Sequence, residues 1–193
     1  MKKKIIFIIN PISGHHNKNN FPHLVEKYID KTQYEYDIVF TEYAGHATEL
    51  TMKAIDEGFE YIAAVGGDGT INEIAKCLIG KKQILVIIPL GSGNGLARHL
   101  ELSFKPERLI PEVINKGKVY KIDTATMNGI PFVSIAGIGF DALIADYFAC
   151  ASSIFDICRF SSDAITCCIV AASRSLSIYV ASVLGFIFFE KAV

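Results

Sequence analysis

A chain of 193 residues that is 51% hydrophobic and 20% charged can bury one large domain, or one domain and part of another, which excludes disorder as its global state. Its formal net charge of -1 sets up no field favouring nucleic acid or strongly acidic partners. Five cysteines form no CxxC pair, and four of them (Cys150, Cys158, Cys167, Cys168) crowd towards the C-terminus; they read as thiols in a reducing compartment, not as a disulfide or zinc framework.

The basic start runs into Ile5–Ile9 and stops at Asn10-Pro11. A secretory apolar core needs about 7–15 residues and a small-residue cleavage site, so the run is read as a first strand, Lys4–Asn10, covered on both faces. A cytoplasmic location follows from that reading. Leu24, Val25, Tyr28 and Ile29 recur at helical spacing, and Tyr36–Thr41 reads as a second strand. His46–Gly58 places Ala47, Leu50, Ala54 and Ile55 on one side of a helix, with Gly58 as its stop. Tyr61–Val65 is a third strand. Ile71, Ile74, Ala75, Leu78 and Ile79 mark the next helix, closed by Gly80. Ile84–Ile88 is a fourth strand ended by Pro89, and Pro106–Lys116 is a further helix. This order predicts an α/β fold over residues 1–117, a doubly wound, mainly parallel sheet with ligands at the carboxyl ends of its strands.

After Gly117 the pattern turns β-like over Val119–Met127 and Pro131–Ile138, joined by the hairpin signal Asn128-Gly129. Residues 118–149 are therefore expected to begin a β-rich second domain, incomplete in this chain. From Cys150 to Val193 charge is sparse and neither helical nor strand periodicity persists. Arg174 interrupts the apolar stretch Ala164–Phe189, and a central Arg costs about 2.5–3.5 kcal/mol even on permissive insertion scales; no membrane span is expected there. Residues 150–193 have instead the character of an atypical tail, as a frameshift would produce.

Four loops follow the four strands. Asn10-Pro11-Ile12-Ser13-Gly14 offers a rigid exit at Pro11, a hydroxyl at Ser13 and positive φ at Gly14. Thr41 puts a hydroxyl at the end of the second strand, where it serves either a nucleotide or the approach to the next helix. Gly66-Gly67-Asp68-Gly69-Thr70 is the specific signal: bare backbone amides at a helix N-terminus can meet an oligophosphate. The structural alternative is a tight turn with Asp68 or Thr70 as N-cap. Asp68 is the carboxylate available to a metal-held nucleotide or an attacking hydroxyl; Glu73, one turn on, is either a second such group or a helix-surface side chain. Gly91-Ser92-Gly93-Asn94-Gly95 allows close backbone approach, and Leu96 stands where a dinucleotide fingerprint needs its third glycine. Arg98 would meet phosphate or an ion-pair partner, and His15, His16 and His46 read as solvated loop residues.

Asn10-Pro-x-Ser-Gly14, Gly66-Gly-Asp-Gly-Thr-Ile-Asn-Glu73 and Pro89-Leu-Gly-Ser-Gly-Asn-Gly-Leu-Ala-Arg98, in this order and spacing, together with Gly137-Ile-Gly-Phe-Asp141, resemble the diacylglycerol kinase catalytic domain, a family that includes bacterial lipid kinases and sphingosine kinases. Gly-Gly-Asp-Gly-Thr alone would also admit NAD kinases and phosphofructokinases, which share the nucleotide fold. The resemblance implies ATP bound between an N-terminal α/β domain and a β-sandwich, with Asn10, Pro11, Ser13, Gly14, Thr41, Gly66, Gly67, Asp68, Gly69, Thr70, Asn72, Glu73, Gly91, Ser92, Gly93 and Asn94 around the nucleotide. It implies Mg²⁺ on the phosphates, with no metal-ligating residue identified, and Asp68 close to the transfer. The acceptor would be a lipid alcohol, diacylglycerol or sphingoid-like, met at a membrane face. Ser92 keeps the hydroxyl of the Thr found in many bacterial members, while Gly95 replaces the Asp common there. Family members run longer, so this chain is expected to be a fragment that binds nucleotide weakly and turns over little. The rival readings are a kinase of NAD or another small molecule, and a non-catalytic nucleotide-binding remnant. Nothing in the sequence excludes a homo-oligomer.

Overall fold

The computed structural model describes residues 2–14, 18–127 and 129–133. The chain divides into two units, residues 1–134 and 135–193; all described residues fall in the first, and Gly137–Asp141 and the tail 150–193 lie outside them.

The first strand, β1 (Lys3–Ile9), is the centre of the sheet. Its unbroken apolar run has two destinations, because successive side chains leave a strand on opposite faces. Ile5, Phe7 and Ile9 enter one core with Phe21 and Val25 of α1 (Phe21–Tyr28). Ile6 and Ile8 enter the other core, with Ala47 and Ala54 of α2 (His46–Asp56) and Ile71, Ile74 and Ala75 of α3 (Asp68–Leu78). Each Ile, Phe or Val among them contributes about 1.5–3 kcal/mol through burial. A strand buried on both faces sits in the middle of a sheet, and β1 does: it pairs in parallel with β2 (Tyr34–Phe40) and with β3 (Tyr61–Gly66). β4 (Ile84–Pro89) completes the order β2-β1-β3-β4. Pro89 is tolerated because β4 is an edge strand among the described residues and the Leu90 N–H carries the ladder on to Gly66, so the N–H that proline lacks would face the unpaired side. The crossovers place α1 on one face and α2 and α3 on the other, the arrangement that right-handed connections require when the strand order reverses at β1. This is the expected doubly wound parallel α/β sheet.

The helices end where the sequence predicts. Gly58 (φ 79) and Gly80 (φ 73) take the left-handed conformation after α2 and α3. α3 begins earlier than its apolar periodicity, at Asp68, and its N-cap is Gly67 without a side-chain cap bond. The capping role weighed for Asp68 or Thr70 is therefore corrected.

Two further expectations are corrected. The helix over 106–116 is a short α5 (Pro106–Leu109) that widens into a π-helical turn, Ile110–Asn115. Pro111 lies in that turn; it has no N–H for an i→i−4 bond, so a regular ladder cannot pass through it. Asn115 then ties the turn to α1, donating from Nδ2 to the Tyr28 carbonyl at 2.8 Å and accepting the Asp30 N–H at 3.1 Å. The strand expected over 119–127 is only β5 (Ala125–Met127), paired antiparallel with β6 (Ile130–Phe132). Its Gly129 has φ 77, as the hairpin signal predicts. Among the described residues no helix is long and apolar enough to cross a membrane.

Candidate functional site

Because β1, β3 and β4 run parallel, their carboxyl ends open on one rim, and the ladders carry on one residue into each loop. The Asn10 N–H donates to the Val65 carbonyl at 3.0 Å, the Leu90 N–H to Gly66 at 2.9 Å, and the Thr41 N–H to Ile9 at 2.8 Å. The β1 connection leads out to β2 and the β3 connection leads the other way to β4. Their loops thus flank the switch point where such sheets bind ligands.

Asn10 links the two flanking loops. Its Oδ1 accepts the Ile12 N–H at 3.1 Å, closing a local turn, and its Nδ2 donates to Thr70 Oγ1 at 3.0 Å. Thr70 is buried in the first turn of α3. The third loop joins through backbone contact. A Cβ on Gly91 would stand 2.2 Å from Gly67 Cα, and one on Gly14 would stand 2.6 Å from the Leu90 carbonyl oxygen. Gly14 also has φ 69, a conformation that costs a side-chain-bearing residue. Gly14, Gly67 and Gly91 therefore meet at one point, stripped of side chains.

Asp68 stands beside that point. It is exposed, and it makes no hydrogen bond or ion pair with the described residues. A Cβ on Gly93 would lie 2.9 Å from its Oδ2, so the carboxylate faces the loop after β4. The N–H groups of Asp68, Gly69 and Thr70 belong to the first turn of α3, where no carbonyl four residues back can accept them. Helix dipole and free amides together favour an anion there.

The other predicted residues take several roles. Asn94 is buried with φ 56; its Oδ1 accepts the Gly91 N–H at 3.0 Å and its Nδ2 donates to the Gly91 carbonyl at 2.6 Å. It shapes the loop with both ends of its amide. Ser92 is exposed at the tip and Pro11 at the bend, with Ser13 half-buried behind it. Thr41 is buried at the end of β2. Asn72 turns towards the hairpin, its Oδ1 accepting the Val133 N–H at 3.4 Å. Glu73 accepts the Gly45 N–H at 3.3 Å and so ties the loop before α2 to α3. Arg98 donates from Nε to the Gly93 carbonyl at 2.9 Å and lies over the Phe104 ring; it holds the loop and makes no ion pair among the described residues. His15 and His16 lie outside them, and His46 stacks on Tyr43.

One residue at this rim carries no sequence signal. Lys18, in the short 3₁₀ turn Lys18–Asn20, is 2% exposed, and its ammonium reaches back to the β1 loop. The polar run around it reads as solvated.

No group of three His, Cys, Asp or Glu side chains suited to a metal occurs among the described residues. A Mg²⁺ ion usually takes one or two carboxylates and completes its shell with nucleotide phosphates and water, and the free carboxylate of Asp68 fits that demand. A cleft between α2 and the β1–β2 edge, lined by Ile6, Val39, Leu50 and Ala54, contains none of the predicted residues; its Lys53 and Glu57 pair with each other at 3.7 Å.

The family model of the diacylglycerol kinase catalytic domain matches residues 4–127. Diacylglycerol kinases of Staphylococcus saprophyticus and Bacillus subtilis are 32% identical over 142 residues and 33% identical over 140 residues, covering 72% and 71% of this chain. The chain spans about half the length of these relatives, 46% of each. A crystal structure of a diacylglycerol kinase from Bacillus anthracis aligns with a TM-score of 0.56 at 26% identity, over 73% of this chain and 51% of that one.

Proposed function

This chain belongs to the diacylglycerol kinase catalytic domain family, and from that premise we propose that its rim binds ATP with Mg²⁺ for transfer of the γ-phosphoryl group to a lipid hydroxyl. The observation that supports this most is the meeting of Gly14, Gly67 and Gly91 at the switch point, beside the first turn of α3. Three backbones without side chains form a floor on which a polyphosphate can rest, and the free amides of the β1 loop and of α3 supply donors to its oxygens. Phosphoryl transfer asks little covalent chemistry of the protein; alignment and neutralisation of charge carry it. When bound, Mg²⁺ would neutralise phosphate charge, with Asp68 as the residue to hold it directly or through water. The same carboxylate is placed to orient an acceptor hydroxyl. Asn10, Thr70, Asn94 and Arg98 keep the loops in register, and Ser92 offers a hydroxyl at the lip.

The acceptor is proposed to be a membrane lipid alcohol, diacylglycerol or sphingoid-like, with the protein working in the cytoplasm at the membrane face. Because the chain spans about half of its curated relatives, the nucleotide half of the reaction is the part its own residues are proposed to carry. Radiolabelled ATP offered to the chain with extracted lipid, and separately with NAD and sugar phosphates, tests the assignment. Label in the lipid phase supports it; label only in the soluble acceptors overturns the lipid half and leaves the nucleotide half standing. Asp68→Asn should keep the fold, since Asp68 has no partner among the described residues, while lowering transfer by about 10²–10³-fold if it assists in the transition state.

A further inference from the structure

The loop after β1 is held from behind by a buried cation. Lys18 Nζ donates to the Asn10 carbonyl at 2.7 Å and also to the carbonyl and hydroxyl oxygens of Ser13. Three acceptors match the three donors of an ammonium, whereas a neutral amine has only two N–H bonds to give. Burial nevertheless works against the charge and pushes the Lys18 pKa down to about 8. Among the described residues the neighbouring elements offer no compensating anion: Asp68 on α3 makes no ion pair with it, His23 is the titratable group nearest the start of α1, and the ion pairs lie elsewhere. A buried charge without a counter-ion is costly to keep.

Backbone accounting shows what the cation achieves. The Asn10 N–H is used by Val65, Pro11 has none, and the Ile12 N–H is used by Asn10 Oδ1. The N–H groups of Ser13 and Gly14 have no partner among the described residues. A trans peptide holds C=O and N–H on opposite sides, so turning the Ser13 carbonyl towards Lys18 turns the Gly14 N–H away from it.

We infer that Lys18 is a positioning residue for the nucleotide: its buried ammonium draws the Asn10 and Ser13 oxygens inward, leaves the Ser13 and Gly14 amides free for a phosphate, and supplies charge that the phosphate neutralises. The inference rests on the nucleotide reading and adds a residue to it. A phosphate above the loop would favour the charged lysine, so nucleotide binding would be coupled to proton uptake.

Calorimetric titration of Mg-ATP into the 193-residue chain at about pH 8.5, in buffers of different ionisation enthalpy, reads that uptake in a range above ordinary histidine titration. The wild type should take up protons, and its affinity should fall about tenfold for each unit by which the nucleotide raises the lysine pKa as the pH climbs past 8. Lys18→Met should bind at least about tenfold more weakly at neutral pH and show neither uptake nor decline. Should that variant fail to fold, Lys18→Arg carries the test, because its guanidinium stays charged and its affinity should hold where that of the wild type falls. Wild-type binding with an unchanged affinity and pH profile in Lys18→Met, or with the wild-type decline in Lys18→Arg, overturns the role of Lys18 alone. Absence of Mg-ATP binding by the wild type overturns the nucleotide reading and this inference with it.

Discussion

At the switch point the loops after β1, β3 and β4 are each fixed by a bond or by close backbone packing to a neighbouring loop, whereas beyond Gly117 the described chain has little to hold it. Asn10 reaches Thr70, Gly14 packs on Leu90, Gly67 touches Gly91, and Lys18 backs the first loop. Val119 and Tyr120, by contrast, are 61% and 73% exposed. The only order that follows them among the described residues is the short β5–β6 hairpin, tied to α3 through Val133 and Asn72. Apolar composition is common to both regions. In the sheet, each apolar residue of β1 has a core waiting on its own side, and strand pairing fixes which; after Gly117 Val119, Tyr120, Ile122 and Ile130 stay exposed, and Val133 at the end of the hairpin joins the core of α2 and α3. Hydrophobic side chains stabilise a fold only where something covers them.

Cutting back one apolar side chain in each region breaks or sharpens this contrast. Phe7→Ala removes a fully buried ring from the central strand and should cost about 3–5 kcal/mol of unfolding free energy, read from urea denaturation. A cost below about 1 kcal/mol would mean that the two-sided core is not what holds the sheet. Asn10→Ala removes both the link to Thr70 and the local turn, and should cost about 1–2 kcal/mol. It should also weaken nucleotide binding more than a core substitution of equal cost, because it frees the rim loops from one another.

Acidity probes the same rim. Lys18 has a pKa of about 8 in the fold against the ordinary 10.5. Between those values the unfolded chain binds the extra proton, so stability should rise with pH from about 8 to about 9.5. That window stays below the region where Lys3 and Tyr34, both raised, begin to titrate. A denaturation midpoint that climbs more steeply over this range in the wild type than in Lys18→Met is the expected result, since Cys77, whose thiol burial pushes up, adds the same decline to both proteins. The smallest effect is expected in the other region: Tyr120→Ala should change stability by no more than about 0.5 kcal/mol. A larger loss would show that Tyr120 is covered in solution.

Most of the sheet was legible because its signals are local. The continuous apolar run Ile5–Ile9, helical spacing in α2 and α3, and the glycines that end those helices each lie within one element, and the βαβ order then fixes which loops share a rim. What escaped depends on contacts distant in sequence or on a single exceptional residue. The Asn10–Thr70 bond spans 60 positions. Lys18 sits in a polar run whose composition gives no hint that its ammonium is buried. Pro111 converts a helical periodicity into a π-helical turn, and residues 119–124 have strand composition without a pairing partner among the described residues. Asn94 and Glu73 were legible as candidates, but only the structure places their polar atoms on Gly91 and Gly45.

Gly91 offers the most direct approach to the central claim, since any side chain there must part the loops after β3 and β4. Titrating Mg-ATP into the wild type and into Gly91→Ala, with near-ultraviolet dichroism to confirm that both are folded, measures whether the meeting point of the three loops is where nucleotide rests. Saturable heat from the wild type, and affinity lower by about tenfold or more in the variant, is the predicted result. No heat from the wild type at millimolar nucleotide, or equal binding by both proteins, would contradict the account.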